Sequence, residues 1–283
     1  MRAFITLTTD FGLSDTYVAA MKGVVLGSNP DAVLVDICHT VQPQNVLQAA
    51  FLLGTVYECF PPETIHVVVV DPGVGTCRRA VLLVTPKGRF LAPDNGVLSY
   101  VAPAPHGPDV SGWLQPGVRR PPLRQVALPE GMSAYALTRP QWWRHPVSST
   151  FHGRDIFAPV AAHLSLGRSP EELGEAIATV NAFALPRPRQ VGPGRLLGHV
   201  LHVDSFGNLI TDIRESDLPP AGLRVEVKGQ VISGLSATFA EGGDLLALMG
   251  SSGYLEIATR NGNTAQGLGA GVGDEVLVTI LSP

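Results

Sequence analysis

Val67, Val68, Val69 and Val70 form an unbroken run that ends at Asp71. A β-branched run of this kind suits a strand buried on both faces, as at the centre of a parallel sheet. Other strand patterns lie at residues 4–9, 32–37 and 80–85, with a shorter one at 89–92. Helical periodicity falls between them. Ser14 and Asp15 are N-cap candidates for a helix reaching about Leu26, and Val46, Leu47, Ala50, Phe51 and Val56 mark a second over residues 44–59. Strand, helix, strand, helix, strand predicts an α/β amino-terminal domain whose central sheet is largely parallel and covered on both faces.

The texture changes along the rest of the chain. Residues 101–132 are rich in Pro and Gly, carry Arg119, Arg120 and Arg124, and show little periodicity. They read as an exposed excursion: a surface insertion, a lid or an intersubunit arm. A strand follows at 134–137, then helices over 156–166 and 171–180. LPRPRQVGPG, residues 185–194, has the composition of a linker. Beyond it, short apolar alternations at 196–203, 223–227, 244–249, 254–258 and 275–281 are separated by glycines and polar turns. That pattern predicts a smaller all-β, barrel-like domain. The expected division is 1–185, a linker at 186–194, and 195–283.

Composition narrows the class. With 45% hydrophobic and 16% charged residues the chain is globular, not disordered. A net charge of -4 leaves no electrostatic footprint for nucleic acid or an anionic membrane surface. The amino terminus reads as a strand instead of a targeting signal, and no apolar run approaches a membrane span. Cys38, Cys59 and Cys77 are odd in number and lack metal-ligand spacing, which suits a reducing, cytoplasmic setting and argues against a disulfide frame or a zinc site.

Candidate chemistry gathers where strands end. Pro72, Gly73 and Gly75 stop the valine strand and leave Asp71 at its carboxyl end, where open α/β sheets bind ligands. Arg78 or Arg79 is close enough in sequence to fold back on it; a carboxylate capping its own turn is the competing reading. Further polar clusters are Thr8-Thr9-Asp10, Asp94-Asn95, the 148–155 run containing His152, residues 204–208, and 251–254 with 261–263. Carboxylates at several strand ends suit a cationic or hydroxyl-rich ligand, such as a ribose diol. No GxGxxG or Walker loop follows a strand. His152, beside Arg154 and Asp155, admits both a catalytic and a structural reading. A metal held by Asp10, Asp71, Asp94 and His152 would compete with Arg78 for the same carboxylate. Cys77 lacks a nearby base in sequence and is a weak nucleophile candidate.

The segments TTDFGLSDTYVAAMKG, VVVVDPGVGTCRRA, LAPDNGVLS, SSTFHGRDIFAPVAAHL, VDSFGNLITDI and SSGYLEIATRNGN, in this order, together resemble the S-adenosylmethionine hydroxide adenosyltransferases. These are relatives of fluorinating and chlorinating enzymes that use the same substrate. The resemblance implies attack of water or hydroxide on the ribose 5′ carbon of S-adenosylmethionine, giving adenosine and methionine without cofactor or metal. It maps the catalytic set onto Asp71, Arg78 and His152 and the ribose carboxylate onto Asp10. Asp94, Asn95, Asp204, Phe206, Asn208, Ser252, Tyr254, Glu256 and Asn263 are the further substrate-binding expectations. It also implies a homotrimer, with each site between one subunit's amino domain and its neighbour's carboxyl domain.

His152-Gly153 and the DPGVGT turn are of the hydrolase type, which favours water over halide as nucleophile. Rival readings are a halide-using enzyme of the same family, a non-catalytic adenosine or S-adenosylmethionine binding protein, and a metal-dependent hydrolase. The chain departs from the family at Asp212, where Asn is usual, at Thr264, where Ala is common, and in the length of 101–132. His39, His66, His106, His145, His163 and His202 have no motif support and read as structural or exposed.

Overall fold

The computed structural model describes residues 2–104, 106–107, 113–115, 117–218 and 222–281, without the side chains of 106 and 107. Part of the 101–132 excursion, at 105, 108–112 and 116, therefore lies outside the described residues. The chain divides into two compact units, one of residues 1–105 and 119–184, the other of 106–118 and 185–283.

The amino unit opens with β1 (Phe4–Thr9), α1 (Tyr17–Ser28), β2 (Val33–Cys38), α2 (Val46–Val56), β3 (Ile65–Val69), β4 (Ala80–Thr85) and β5 (Gly88–Pro93). Its seven-stranded sheet runs β2-β1-β3-β5-β4, followed by Ser133–Ala136 and Glu175–Ile177. The β2-β1-β3-β5 part is parallel; every pairing from β4 outward is antiparallel. The valine run is buried on both faces, as its composition predicts. Val67 and Val69 join Ile5, Leu7 and Leu82 beneath α1 and a helix here called α3 (Ala158–Ser165). Val68 and Val70 join Val81, Leu83 and Phe90 against α2. Each fully buried valine side chain contributes about 2 kcal/mol, so four in a row fix the strand and carry Asp71 to its end.

Three expectations are corrected. Residues 171–180 do not form one helix: Pro170–Leu173 makes a single capped turn, then Glu175–Ile177 and Thr179–Ala182 are strands. Gly174 permits the change, because any side chain there would run into the Ala136 carbonyl. The expected linker also has structure, since Arg189–Gly192 pairs antiparallel with Arg195–Val203. The excursion returns to the amino unit, where Arg124–Ala127 pairs with Thr179–Ala182 and the Arg119 carbonyl accepts the Val46 N–H.

The carboxyl unit is built on an antiparallel, barrel-like eight-stranded sheet. Its spine pairs Leu223–Val227, Glu275–Ile280, Arg195–Val203, Leu209–Arg214 and Tyr254–Thr259 in that order. Leu196, Val200, Leu209, Val225, Ile257 and Val278 fill its interior. The alternation at 196–203, 223–227, 254–258 and 275–281 predicts four of these strands, but Leu209–Arg214 escapes it because buried Thr211 and Asp212 interrupt the apolar pattern.

Candidate active site

Asp71 follows the last residues of the valine strand, and a tight turn returns the chain to it. Val74 N–H donates to the Asp71 carbonyl at 3.2 Å, and Thr76 Oγ1 donates to the Gly73 carbonyl at 2.6 Å. Gly75 has φ +77°, and a Cβ there would collide with the Ser149 carbonyl, so the turn lies directly on the segment before His152. Arg78 returns its guanidinium to Asp71: Nε lies 3.0 Å from each carboxylate oxygen, and Nη2 also donates to Oδ2. The pair is largely withdrawn from water, with side-chain exposures of 11% for Arg78 and 5% for Asp71. Arg78, not Arg79, is the partner.

Arg78 Nη2 also reaches His152 Nδ1 at 2.7 Å. A guanidinium can only donate, so Nδ1 accepts and the neutral imidazole carries its proton on Nε2. Burial, and then the adjacent Arg78, push the His152 pKa below its ordinary value, against the opposing pull of Asp71 and Asp155. His152 is held by an unusual backbone. Residues Gly153–Phe157 form a π-turn, closed by the Ala158 N–H on the Gly153 carbonyl, before α3 begins. Gly153 permits the close approach, since a Cβ there would lie 3.1 Å from Met21 Sδ and 3.4 Å from Val69 Cγ1. Asp155 anchors the turn from within. Arg154 Nε donates to its Oδ1 at 2.7 Å and the Ser148 N–H to its Oδ2 at 2.8 Å. Burial alone would raise the Asp155 pKa, but these donors hold it below the usual carboxylate range.

Asp10 lies just past β1, and its Oδ2 accepts the Gln44 N–H at 2.7 Å. Burial raises its pKa, and the charge of Asp71 adds to this against the Gln44 hydrogen bond. Asp94 has a different part. It is 5% exposed, receives Arg79 Nε at 2.9 Å and Asn181 N–H at 2.7 Å, and so braces β5 against Thr179–Ala182. Asn95 Nδ2 likewise ties the Val70 carbonyl at 2.9 Å. Both of the Asp94 oxygens take part in these bonds within the unit. Gln44 and Asn181 escape sequence reasoning: neither lies in a polar cluster, and each acts on a carboxylate at least 34 residues away.

In the carboxyl unit the expected residues cluster about two strand ends. Asp204 Oδ1 accepts the Phe206 and Asn208 N–H groups at 2.9 and 2.8 Å, and Oδ2 accepts Asn208 Nδ2 at 2.9 Å. This holds a loop from which Phe206 projects, 75% exposed. Asn263 caps Thr264–Leu268 by accepting the Gln266 N–H at 2.8 Å and lies against Gly207. Tyr254 accepts Arg214 Nη2 at 2.9 Å on its hydroxyl. Burial, then the charge of Asp204, raise the pKa of Glu256. Ser252 occupies the turn leading into Tyr254. Of the departures, Asp212 is buried and accepts the His199 N–H, and Thr264 is buried and donates to Thr259 Oγ1. Among the described residues, no three His, Cys, Asp or Glu gather as a metal-ligand set, and no helix is long and apolar enough to cross a membrane.

Comparison with known proteins covers both units. The SAM hydroxide adenosyltransferase N-terminal domain matches residues 5–114 and 115–174, and the corresponding C-terminal domain matches 198–277. The (R)-S-adenosyl-L-methionine hydrolase of Thermus thermophilus is 37% identical over 263 residues, covering 92% of this chain and 93% of its own. A fluorinase of Nocardia brasiliensis is more distant, at 29% identity over 98% of this chain and 97% of its own. Among solved structures, an uncharacterized conserved protein from Thermotoga maritima superposes with a TM-score of 0.81 at 32% identity, over 97% of this chain and 99% of that one.

Proposed function

The chain belongs to the SAM hydroxide adenosyltransferase family, and from that premise we propose that it hydrolyses S-adenosyl-L-methionine to adenosine and L-methionine. The observation that carries this reading is the contact of Arg78 with both Asp71 and His152 at the end of β3. In the reaction, a water oxygen bonds to the ribose 5′ carbon while the carbon–sulfur bond breaks. The electron pair stays on sulfur as a neutral thioether, and the surplus proton of the water passes to solvent. The leaving group therefore needs no acid. What the protein supplies is one water held in line, an effect of roughly 7–11 kcal/mol at best.

Arg78 and the His152 Nε2–H are the donors that hold the water oxygen, and the guanidinium charge favours its hydroxide form. While Nδ1 is occupied by Arg78, the neutral His152 has no free lone pair with which to accept the water's proton. It is a holder in this scheme, not a base. Asp71 orients Arg78 and offsets its charge. Asp10 receives the ribose hydroxyls, and the Asp204, Phe206, Asn208 and Asn263 loops, with Ser252, Tyr254 and Glu256, contribute to the adenosine and methionine pocket. The active form is a homotrimer that pairs the amino unit of one subunit with the carboxyl unit of its neighbour; the exposed Phe206 supports this arrangement. Three unpaired thiols support a cytoplasmic setting. The Thermus relative is an (R)-S-adenosyl-L-methionine hydrolase, and we extend that preference for the (R) epimer to this chain.

The test incubates purified protein with the (R) and (S) epimers separately, in isotopically heavy water with chelator present, followed by mass analysis. The expected result is heavy oxygen in adenosine, unlabelled methionine, and faster turnover of the (R) epimer. Intact substrate without halide, but a 5′-halogenated product on adding chloride, would replace this reading with that of a halide-using relative.

A further inference from the structure

Sequence alone leaves His39 as a structural or exposed histidine, but the structure places it at one end of a polar chain that leads to Asp10. Its side chain is 2% exposed, and Nδ1 lies 2.9 Å from Thr9 Oγ1, the hydroxyl of the residue before Asp10. On the other side Nε2 lies 3.0 Å from Asp36 Oδ1, short in distance though off the line of a good hydrogen bond. Asp36 Oδ2 accepts Lys22 Nζ at 2.6 Å. Burial alone would raise the Asp36 pKa, but Lys22 and His39 together hold it below the carboxylate range.

In the neutral ring the donors and acceptors run in one direction. With the Nε2 proton facing Asp36, Nδ1 must accept, so the Thr9 hydroxyl donates to it. The Thr9 oxygen also accepts the Phe11 N–H, at 3.3 Å. The series from Phe11 N–H through Thr9 and His39 to Asp36 is thus aligned head to tail, an arrangement in which each bond polarises the next. The same histidine grips the stretch again through its main chain, where its carbonyl accepts the Gly12 N–H at 2.7 Å. Asp10 therefore lies between two residues, Thr9 and Phe11, joined through the Thr9 hydroxyl, and a third, Gly12, is bound to the His39 backbone. Phe11 packs in turn against Phe151, the neighbour of His152, with ring centroids 5.6 Å apart.

We propose that His39 is a positioning residue for Asp10: through the Thr9 hydroxyl and the Gly12 amide it holds the 9–12 turn so that the Asp10 carboxylate meets the ribose hydroxyls, with Asp36 and Lys22 fixing the histidine from the surface. The inference rests on the reading of Asp10 as the ribose carboxylate. The relay fixes the backbone on both sides of Asp10.

The test is Thr9→Val, which keeps the branched shape and removes only the hydroxyl, with Thr9→Ser as the conservative rescue and His39→Leu as the second break. For Thr9→Val and His39→Leu the expected outcome is a rise of about tenfold in KM with kcat within about threefold of wild type. Thr9→Ser returns KM to within about threefold of wild type. In an Asp10→Asn background the Thr9→Val change adds nothing further to KM, because both act through one carboxylate. A fall in kcat and melting temperature at unchanged KM, or independent multiplication of the two KM effects, overturns the proposal. Hydrogen exchange provides a readout independent of turnover: the Phe11 and Gly12 amides exchange at least about tenfold faster in Thr9→Val and His39→Leu than in wild type. If Asp10→Asn alone leaves KM unchanged, the ribose reading fails, and the exchange rates still decide whether the relay holds the turn. Unchanged exchange at both amides sinks the relay itself.

Discussion

The two units hold their polar side chains by different means. In the amino unit the bonds span long stretches of chain: His152 is 74 residues from Arg78, and Asn181 is 87 from Asp94. In the Asp204 and Asn263 loops of the carboxyl unit they are local. Asp204 reaches no farther than four residues and Asn263 only three. Long-range contacts form only when the sheet and both helical layers are in place, so the Asp71–Arg78–His152 geometry is a product of the whole amino unit. A capped loop can keep its shape with little help from its surroundings. The contrast suits the division of labour proposed above, with reacting atoms needing exact angles and a binding loop needing only to present its groups.

The strongest way to break this contrast is at Arg78. Arg78→Ala removes the shared donor and leaves Asp71 buried without its partner. Turnover is expected to fall on the order of a hundredfold to a thousandfold, with a lower melting temperature, measured by adenosine release and thermal denaturation. Asp71→Asn is expected to lose activity as well; full turnover in that variant alongside an inactive Arg78→Ala would show that the two do not act as a unit. A smaller effect is expected in the carboxyl unit. Asp204→Ala loses the loop's internal bonds and should raise KM about tenfold while the melting temperature stays within about 3 °C. A collapse of stability there would erase the distinction between the units.

The smallest effect is in pH dependence and sharpens the comparison within the amino unit. His152 titrates below the ordinary imidazole value of 6.5. Protonation at Nδ1 removes the acceptor used by Arg78 and sets two cations side by side, so kcat falls as pH drops through the lowered value and is flat from there up to 6.5. The stability contribution has the same sign. In that window the unfolded chain binds the proton and the folded chain does not, so stability rises with pH. Asp10, with its raised pKa, acts on KM instead: binding weakens as pH falls through that value. A kcat limb centred above 6.5 would mean that the carboxylates, not burial and Arg78, dominate His152.

Legibility followed the reach of the interactions. The central strand and the return of an arginine to Asp71 were readable because Val67–Val70, Pro72 and Gly75 lie within a few residues of one another. The contact of Arg78 with His152 was available only through resemblance, since no local pattern joins residues so far apart. Asp94 looked like a ligand because it ends a strand, and only the fold brings Arg79 and Asn181 to its oxygens. The helix expected over 171–180 failed on Gly174, whose requirement comes from the neighbouring strand's Ala136 carbonyl. His39 carries no local signal for the same reason: its partner Thr9 is 30 residues away.

The π-turn at Gly153–Phe157 has a consequence for how this site tolerates insertion and deletion. A wide turn holds one residue more than the α-helical turn it replaces. Removing that one residue would restore an α-helical turn over nearly the same arc, so the chain on either side would stay in phase and His152 would keep its direction. Removing one residue from α3 itself would instead rotate everything before the cut by roughly 100° and turn His152 away from Arg78. The wide turn is thus the one place in this segment where the site tolerates a change of length.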